Sequence, residues 1–282
     1  MTLPSSLESL RRDIDRIDDQ LHDLLLERCA LVEKVGEVKA NDDVAFHPGR
    51  EAQILRRLIA RHTGSFPKAA LIRIWREIIG TLTGVQKPFA VAVTQPERGS
   101  GFIEIARDHF GVVAPIFVNI NGGQVVKLVA EGQASVGVVP LPGHGPGGAE
   151  PWWIALATGR EDRPYVVTRL QIFPWEPARA RAEPLEALVI ARRLPENTGV
   201  DRTLVVAETS ADVSRDRLRA ILVGIGLEPV EMLVAHSVDG TVLHLIEVAG
   251  WIAPDDERLS QAPRDPLLRV SVIGGFPLPL MP

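Results

Sequence analysis

The chain has a single cysteine, Cys29, among its 282 residues, so neither an internal disulfide nor a cysteine-built zinc site can form. That fits a reducing cytoplasm. It has no excess of positive charge either: a net charge of −5 argues against a general nucleic-acid coat and leaves room only for a local cationic pocket. Long apolar runs are missing. The first thirty residues interleave acids and bases with leucines, which argues against a secretory signal or a membrane anchor. Nucleotide-binding signatures are absent as well, because the glycine-rich GHGPGG at 143–148 has no Lys-Ser/Thr after it and reads as a flexible loop. The scattered histidines, His22, His47, His62 and His109 among them, show no metal-ligand spacing. No repeat at solenoid spacing occurs.

What is present is the composition of a globular chain of two or three domains, 45% hydrophobic and 24% charged. Leu7, Leu10, Ile14, Ile17, Leu21 and Leu24, then Leu31, Val35 and Val38, recur at three-four spacing and define one helical stripe from Ser6 to about Lys39. The position missing from that stripe is 28, and it is arginine. A guanidinium facing a core is too costly to leave unpaired, so Arg28 needs a carboxylate such as Glu27 or Asp23, a route to water, or an anionic ligand. Lys39 follows eleven residues later, near three turns at about 3.6 residues each, and points roughly the same way. A helix this long needs a long partner, most simply a second copy of itself.

Pro48 opens a second helix that runs to about His62, and a third lies between Pro67 and Pro88. In the second, Glu51 shares a stripe with Leu55 and Leu58, with Arg50 directly before it. In the third, Gln86 follows Ile72 and Ile79 at seven-residue intervals. Arg50 and Glu51 also suit a solvated helix start, where an acid is favoured by the helix dipole. Taken together, Arg28, Lys39, Glu51 and Gln86 on otherwise aliphatic faces describe a pocket for a small, oxygen-rich anion.

From Phe89 the texture changes to short strand-like runs (90–94, 114–118, 135–139) with a helix at 101–110 and a Gly/Pro-rich stretch at 140–151. Trp152 and Trp153 read as buried at a domain contact. A last α+β unit starts near Asp201, with strands at 203–207, 230–235, 242–248 and 268–273 around a helix at 214–225.

The stretches SLRRDIDRIDDQLHDLLLERCALVEKVGEVK, HPGREAQIL and IWREIIGTLTGVQ resemble the all-helical AroQ class of chorismate mutases, over about residues 5 to 87. The resemblance implies a three-helix domain at 1–88, an intertwined homodimer with shared sites, and the cofactor-free rearrangement of chorismate to prephenate in phenylalanine and tyrosine biosynthesis. It implies that Arg11 is donated by the opposite chain and that Arg28 grips a carboxylate within its own. Lys39 and Gln86 would contact the breaking ether oxygen, Glu51 the ring hydroxyl, and Arg50 would support the carboxylate end or orient Glu51. Two positions depart from the family pattern. His47 stands where some relatives have an acid, and Leu82 where a small polar residue often sits.

Beyond residue 88, GFIEIARDHFGVVAP and VVKLVAEGQASVGVVP resemble the opening of prephenate dehydratase, and Thr168-Arg169 resembles its Thr-Arg motif. The stretch between them is too short for a complete second lobe, implying a truncated dehydratase-like α/β region at 89–200. SRDRLRAILVGIGLEPVEMLV, VLHLIEVAGWI and RVSVIGGFP resemble a degenerate ACT domain at 201–282, with a possible aromatic amino-acid effector. The expected protein is multidomain, a cytoplasmic mutase with a non-catalytic tail. The alternatives are a bifunctional mutase and dehydratase, elimination of pyruvate from isochorismate on the same scaffold, and a non-enzymatic aromatic-ligand sensor.

Overall fold

The computed structural model describes residues 6–38, 45–97, 101–159, 163–171, 185–263 and 265–278. It begins with three helices, α1 (Leu7–Val38), α2 (Pro48–Arg61) and α3 (Lys68–Gln86), at the positions their apolar periodicity and bounding prolines predict. At 32 residues α1 is about 48 Å long, at ~1.5 Å per residue. Among the described residues it is its C-terminal part that packs on a neighbour, where Gly36 lies against the backbone of Gln86 in α3. The stripe from Leu7 to Val35 is 43 to 64% exposed at its leucine, isoleucine and valine positions, and α1 buries no residue fully.

A mixed α/β region follows: β1 (Val91–Thr94), α4 (Phe102–Phe110), β2 (Ile116–Asn119), α5 (Gly122–Ala130), β3 (Val136–Pro140), a 3-10 turn (Trp152–Ala157), β4 (Tyr165–Gln171) and β5 (Glu186–Ala191). The chain closes with β6 (Asp201–Ser210), α6 (Arg215–Gly224), β7 (Pro229–Val238), β8 (Thr241–Ala249), α7 (Glu257–Ser260) and β9 (Leu267–Pro277). The described strands make one sheet in the order β2-β1-β3-β5-β4-β9-β6-β8-β7. β1 pairs in parallel with β2 and β3, as βαβ crossovers through α4 and α5 require. The β6 to β9 half is antiparallel except where β9 meets β4 in parallel at Val166 and Gly274.

Alternation along the strands separates two cores in the first half of the sheet. Val91, Val93, Val136, Val138 and Val189 face Phe102, Ile105 and Phe110 of α4, while Ala92, Leu188 and Ile190 face α5 and the buried pair Trp152 and Trp153. Trp152 Nε1 also donates to the Pro140 carbonyl at 3.1 Å. The Gly/Pro-rich stretch is a chain of turns, closed where the Gly143 N–H donates to the Gly148 carbonyl at 2.8 Å. A third core holds Leu218 and Leu222 of α6 against Val205, Ile246 and Val248.

The helical segment is joined to the sheet. α3 lies on α4 so closely that a Cβ on Gly80 would stand 2.2 Å from the Phe110 carbonyl oxygen. Phe46, just before α2, is 3% exposed and inserts into the α4 core, its ring 5.3 Å from that of Phe110 and 6.2 Å from that of Phe89.

Candidate active site

Four of the six predicted site residues come together where α1, α2 and α3 meet. A cavity of about 340 Å³ is lined by Arg28, Val32 and Val35 of α1, by Ala45, Phe46 and His47, by Arg50, Glu51 and Ile54 of α2, and by Ile79, Leu82, Thr83 and Gln86 of α3. Arg28, Glu51 and Gln86, expected to meet from helix periodicity, thus share one space, joined by Arg50, which the family resemblance places there. Lys39 lies outside the described residues. Arg11 is exposed on α1, seventeen residues before Arg28 or about 25 Å along the axis, and does not line its own chain's cavity.

Arg28 is half-buried, and burial lowers its guanidinium from the ordinary arginine value. Its Nη1 is enclosed and has no hydrogen-bond partner among the described residues. The pairing with Glu27 or Asp23 therefore does not satisfy that nitrogen. A buried guanidinium donor without an acceptor costs a few kcal/mol, and a carboxylate entering the cavity would offset it.

Glu51 is 6% exposed, so the solvated-start reading does not hold for it. Burial pushes its carboxyl up to about 7, against the opposing pull of Arg76, whose Nε lies 3.7 Å from Oε1. His109 Nε2 is 3.6 Å from Oε2, and burial, with Arg76 beside it, holds this imidazole well below 6.5 and hence neutral. Near neutral pH Glu51 is therefore at its titration point, and its protonated form adds no negative charge beside an anionic ligand.

The two departing positions both line the cavity. Leu82 presents an apolar surface, and the neighbouring Thr83 hydroxyl donates to the Ile79 carbonyl at 2.9 Å. His47 points its Nδ1 at Glu196 Oε1, 2.7 Å away. Sequence reasoning missed Thr83, Arg76 and His109. Arg76 had a signal, since it falls four residues after Ile72 and three before Ile79 on the inner side of α3; His109 had none.

A second cavity, of about 40 Å³, lies behind Glu51, between α2 and the sheet, and is lined by Thr168, Arg169 and Gln171 together with Ala52, Leu55, Arg76 and His109. Here Arg169 is committed to two carboxylates: one guanidinium nitrogen pairs with Glu186, and Nη1 lies 3.0 Å from Glu247. Arg202 Nε is 3.3 Å from the same Glu247.

Residues 10–87 match the family model for chorismate mutase type II. The helical segment is a chorismate mutase type II domain. The chain is also similar to two bifunctional chorismate mutase/prephenate dehydratases. With that of Aquifex aeolicus (strain VF5) it is 33% identical over 140 residues, 48% of this chain and 38% of that protein. With that of Stutzerimonas stutzeri it is 30% identical over 149 residues, 50% and 40% respectively. The chain thus spans well under half the length of the curated relatives it matches. Among solved structures, prephenate dehydratase of Arthrobacter aurescens in complex with L-Phe aligns with a TM-score of 0.49 and 14% identity, over 67% of this chain and 90% of that one. No helix of the mutase domain, or of any other described segment, is long and apolar enough to cross a membrane.

Proposed function

We propose that the chain rearranges chorismate to prephenate in the cavity between α1, α2 and α3. The observation that carries this reading is the enclosed Nη1 of Arg28, without a partner among the described residues, inside a cavity that also holds Glu51 and Gln86. Arg28 binds one substrate carboxylate. Gln86 and Lys39 donate to the ether oxygen as its bond to carbon breaks, and protonated Glu51 bonds to the ring hydroxyl. One C–O bond breaks and one C–C bond forms within the substrate, so no group passes to the protein. Binding selects the folded conformer in which the reacting carbons meet, and donors aimed at the ether oxygen stabilise the charge that grows there. A million-fold acceleration asks for about 8 kcal/mol of such stabilisation.

Arg11 reaches a cavity through dimerisation. The uncovered stripe of α1 supports a second copy as its partner, because so long an apolar face is not stable in water alone. Each cavity then receives Arg11 from the opposite protomer.

The tail, on this proposal, is a truncated dehydratase-like region at 89–200 joined to an ACT-like part at 201–282, and it is not catalytic. The roughly 40 Å³ beside Thr168 and Arg169 suffices for a water or two but not for prephenate, and Arg169 already neutralises Glu186 and Glu247. The names of the similar proteins favour a second reading, in which the chain is bifunctional. A time course with purified protein and chorismate, resolving prephenate and phenylpyruvate, separates the two. Prephenate alone supports the mutase with a non-catalytic tail, onward conversion to phenylpyruvate supports the bifunctional enzyme, and no turnover removes both. Repeating it with phenylalanine tests an aromatic effector.

A further inference from the structure

The cavity wall contributed by residues 45–50 is held from outside the helical domain. α2 begins at Pro48 with His47 as its flanking residue, and the His47 side chain makes no capping hydrogen bond to its first turn. A helix start normally has its free N–H groups met by a side chain a residue or two before it. Here the acceptor comes from 146 residues away: Glu196 Oε2 receives the Arg50 N–H at 3.2 Å. Its other oxygen lies 2.7 Å from His47 Nδ1 and 2.8 Å from Arg193 Nη2.

Three further contacts fix the same stretch. Arg193 Nη1 donates to the Phe46 carbonyl at 2.7 Å, while the Phe46 ring is inserted among Phe89, His109 and Phe110. Gly49 lies so near the β5–β6 connection that a Cβ there would stand 2.4 Å from Glu196 Oε2 and 3.2 Å from Thr198 Cγ2. On α2 itself, Arg56 Nη1 donates to the Thr198 hydroxyl at 2.8 Å and Nη2 to the Val200 carbonyl at 3.0 Å. Burial raises the Glu196 carboxyl, but the His47 bond and the Arg193 charge outweigh it and leave it lowered, so it remains an anionic acceptor at the positive end of the helix.

We infer that Glu196 is a positioning residue for the mutase cavity, a helix cap supplied by the tail that sets where Phe46, His47 and Arg50 stand against the substrate. The inference rests on the proposed function for its substrate and gives the tail a task that needs no catalysis of its own. Glu196 does not itself line the cavity; it acts through the lining residues it holds.

The test uses the full-length chain and the variants Glu196→Ala and Glu196→Gln, with chorismate kinetics and amide hydrogen exchange in the peptide spanning Phe46 to Leu55. The expected result for Glu196→Ala is a KM raised about five- to twenty-fold with kcat within about twofold, and faster exchange at the first turn of α2. Glu196→Gln keeps an acceptor for the Arg50 N–H and is expected to recover most of the KM and the protection. Should Glu196→Ala fail to fold, Glu196→Ser, whose hydroxyl is too short to reach the Arg50 N–H, carries the same comparison. KM and exchange unchanged from wild type in the folded variant that lacks the acceptor, Ala or Ser, overturn the inference. A wild-type chain inert toward chorismate overturns instead the function it rests on, and the exchange measurement still decides the cap.

Discussion

Glu51 and His109 give the chain a pH dependence that single substitutions should split into two opposed parts. The Glu51 carboxyl is raised from about 4.5 to about 7, so the folded chain keeps a proton that the unfolded chain gives up. Stability from this residue is greatest below pH 4.5 and falls as pH rises to about 7, then levels off. The total, roughly 2.5 pKa units, is about 3 kcal/mol. His109 works in the other direction. Its folded value lies below 6.5, so the unfolded chain takes up a proton that the folded chain refuses, and stability falls as pH drops below 6.5. Between about pH 4.5 and 6.5 the two slopes oppose one another, and the wild-type profile is shallow there. Glu51→Gln removes the first. Its stability relative to wild type is expected to grow by about 2 kcal/mol from pH 5.5 to 8.5, because most of the Glu51 cost develops above the lower pH. The assay is urea unfolding at those two pH values for wild type, Glu51→Gln and His109→Gln, the last of which should steepen the decline with pH. If Glu51→Gln differs from wild type by the same amount at both, the Glu51 carboxyl is not raised in the folded chain and the account of the cavity's charge is wrong.

Arg28→Ala is expected to lower kcat/KM for chorismate by at least about a hundredfold with unchanged helical content, since it removes a buried charge-assisted contact to a carboxylate; near-normal kinetics would remove Arg28 from the site. An equal mixture of Arg11→Ala and Arg28→Ala chains, unfolded and reassembled together, should regain about a quarter of wild-type activity. Half the dimers are then mixed, and each carries one intact site; no recovery would argue against Arg11 crossing between protomers. Arg169→Ala should leave mutase KM and kcat within about twofold but lower stability by about 3 kcal/mol, because Glu186 and Glu247 lose their shared partner in a half-buried network. A loss of dehydratase activity in that variant, rather than of stability, would favour the bifunctional reading.

Local pattern carried most of the helices and strands into the sequence reading. The three-four spacing of α1 and α3 and the prolines at 48, 67 and 88 place those helices within a residue or two, and the short Val-rich runs place β1, β3 and β8. α5 did not stand out, since Gly122-Gly123 at its start obscures a single short apolar face; its cap, Asn121 accepting from the Gln124 N–H at 2.9 Å, is visible only in three dimensions. β5 was missed because it is buried on both faces and does not alternate, and β4 because Thr168, Arg169 and Gln171 break up its apolar run. That β4 meets β9 and joins both halves into one sheet has no local signature either, as it rests on a pairing across 108 residues of chain.

The site divides along the same line. Arg28 was legible because a cation interrupting an apolar stripe is an anomaly within one helix, and Glu51 and Gln86 because each lies on an inward face set by its own neighbours in sequence. The same spacing could not say whether Glu51 faced water, since an acid at a helix start suits the dipole in either case; what decides it is the packing of α4, and with it His109, behind α2. Glu196 is less legible still. A helix that lacks a capping side chain does leave a trace, for His47-Pro48-Gly49 offers no Ser, Thr, Asp or Asn at the boundary. That trace shows that a cap is missing, not who supplies it. An uncapped helix start leaves free N–H groups, so one beside a candidate pocket, followed by a glycine with no turn to make, is a sign in the sequence that another part of the chain docks there. In this chain the docking segment is the β5–β6 connection, and the consequence is specific: excising the tail at residue 88 should impair the helical domain through its second helix first, before α1 or α3 lose their structure.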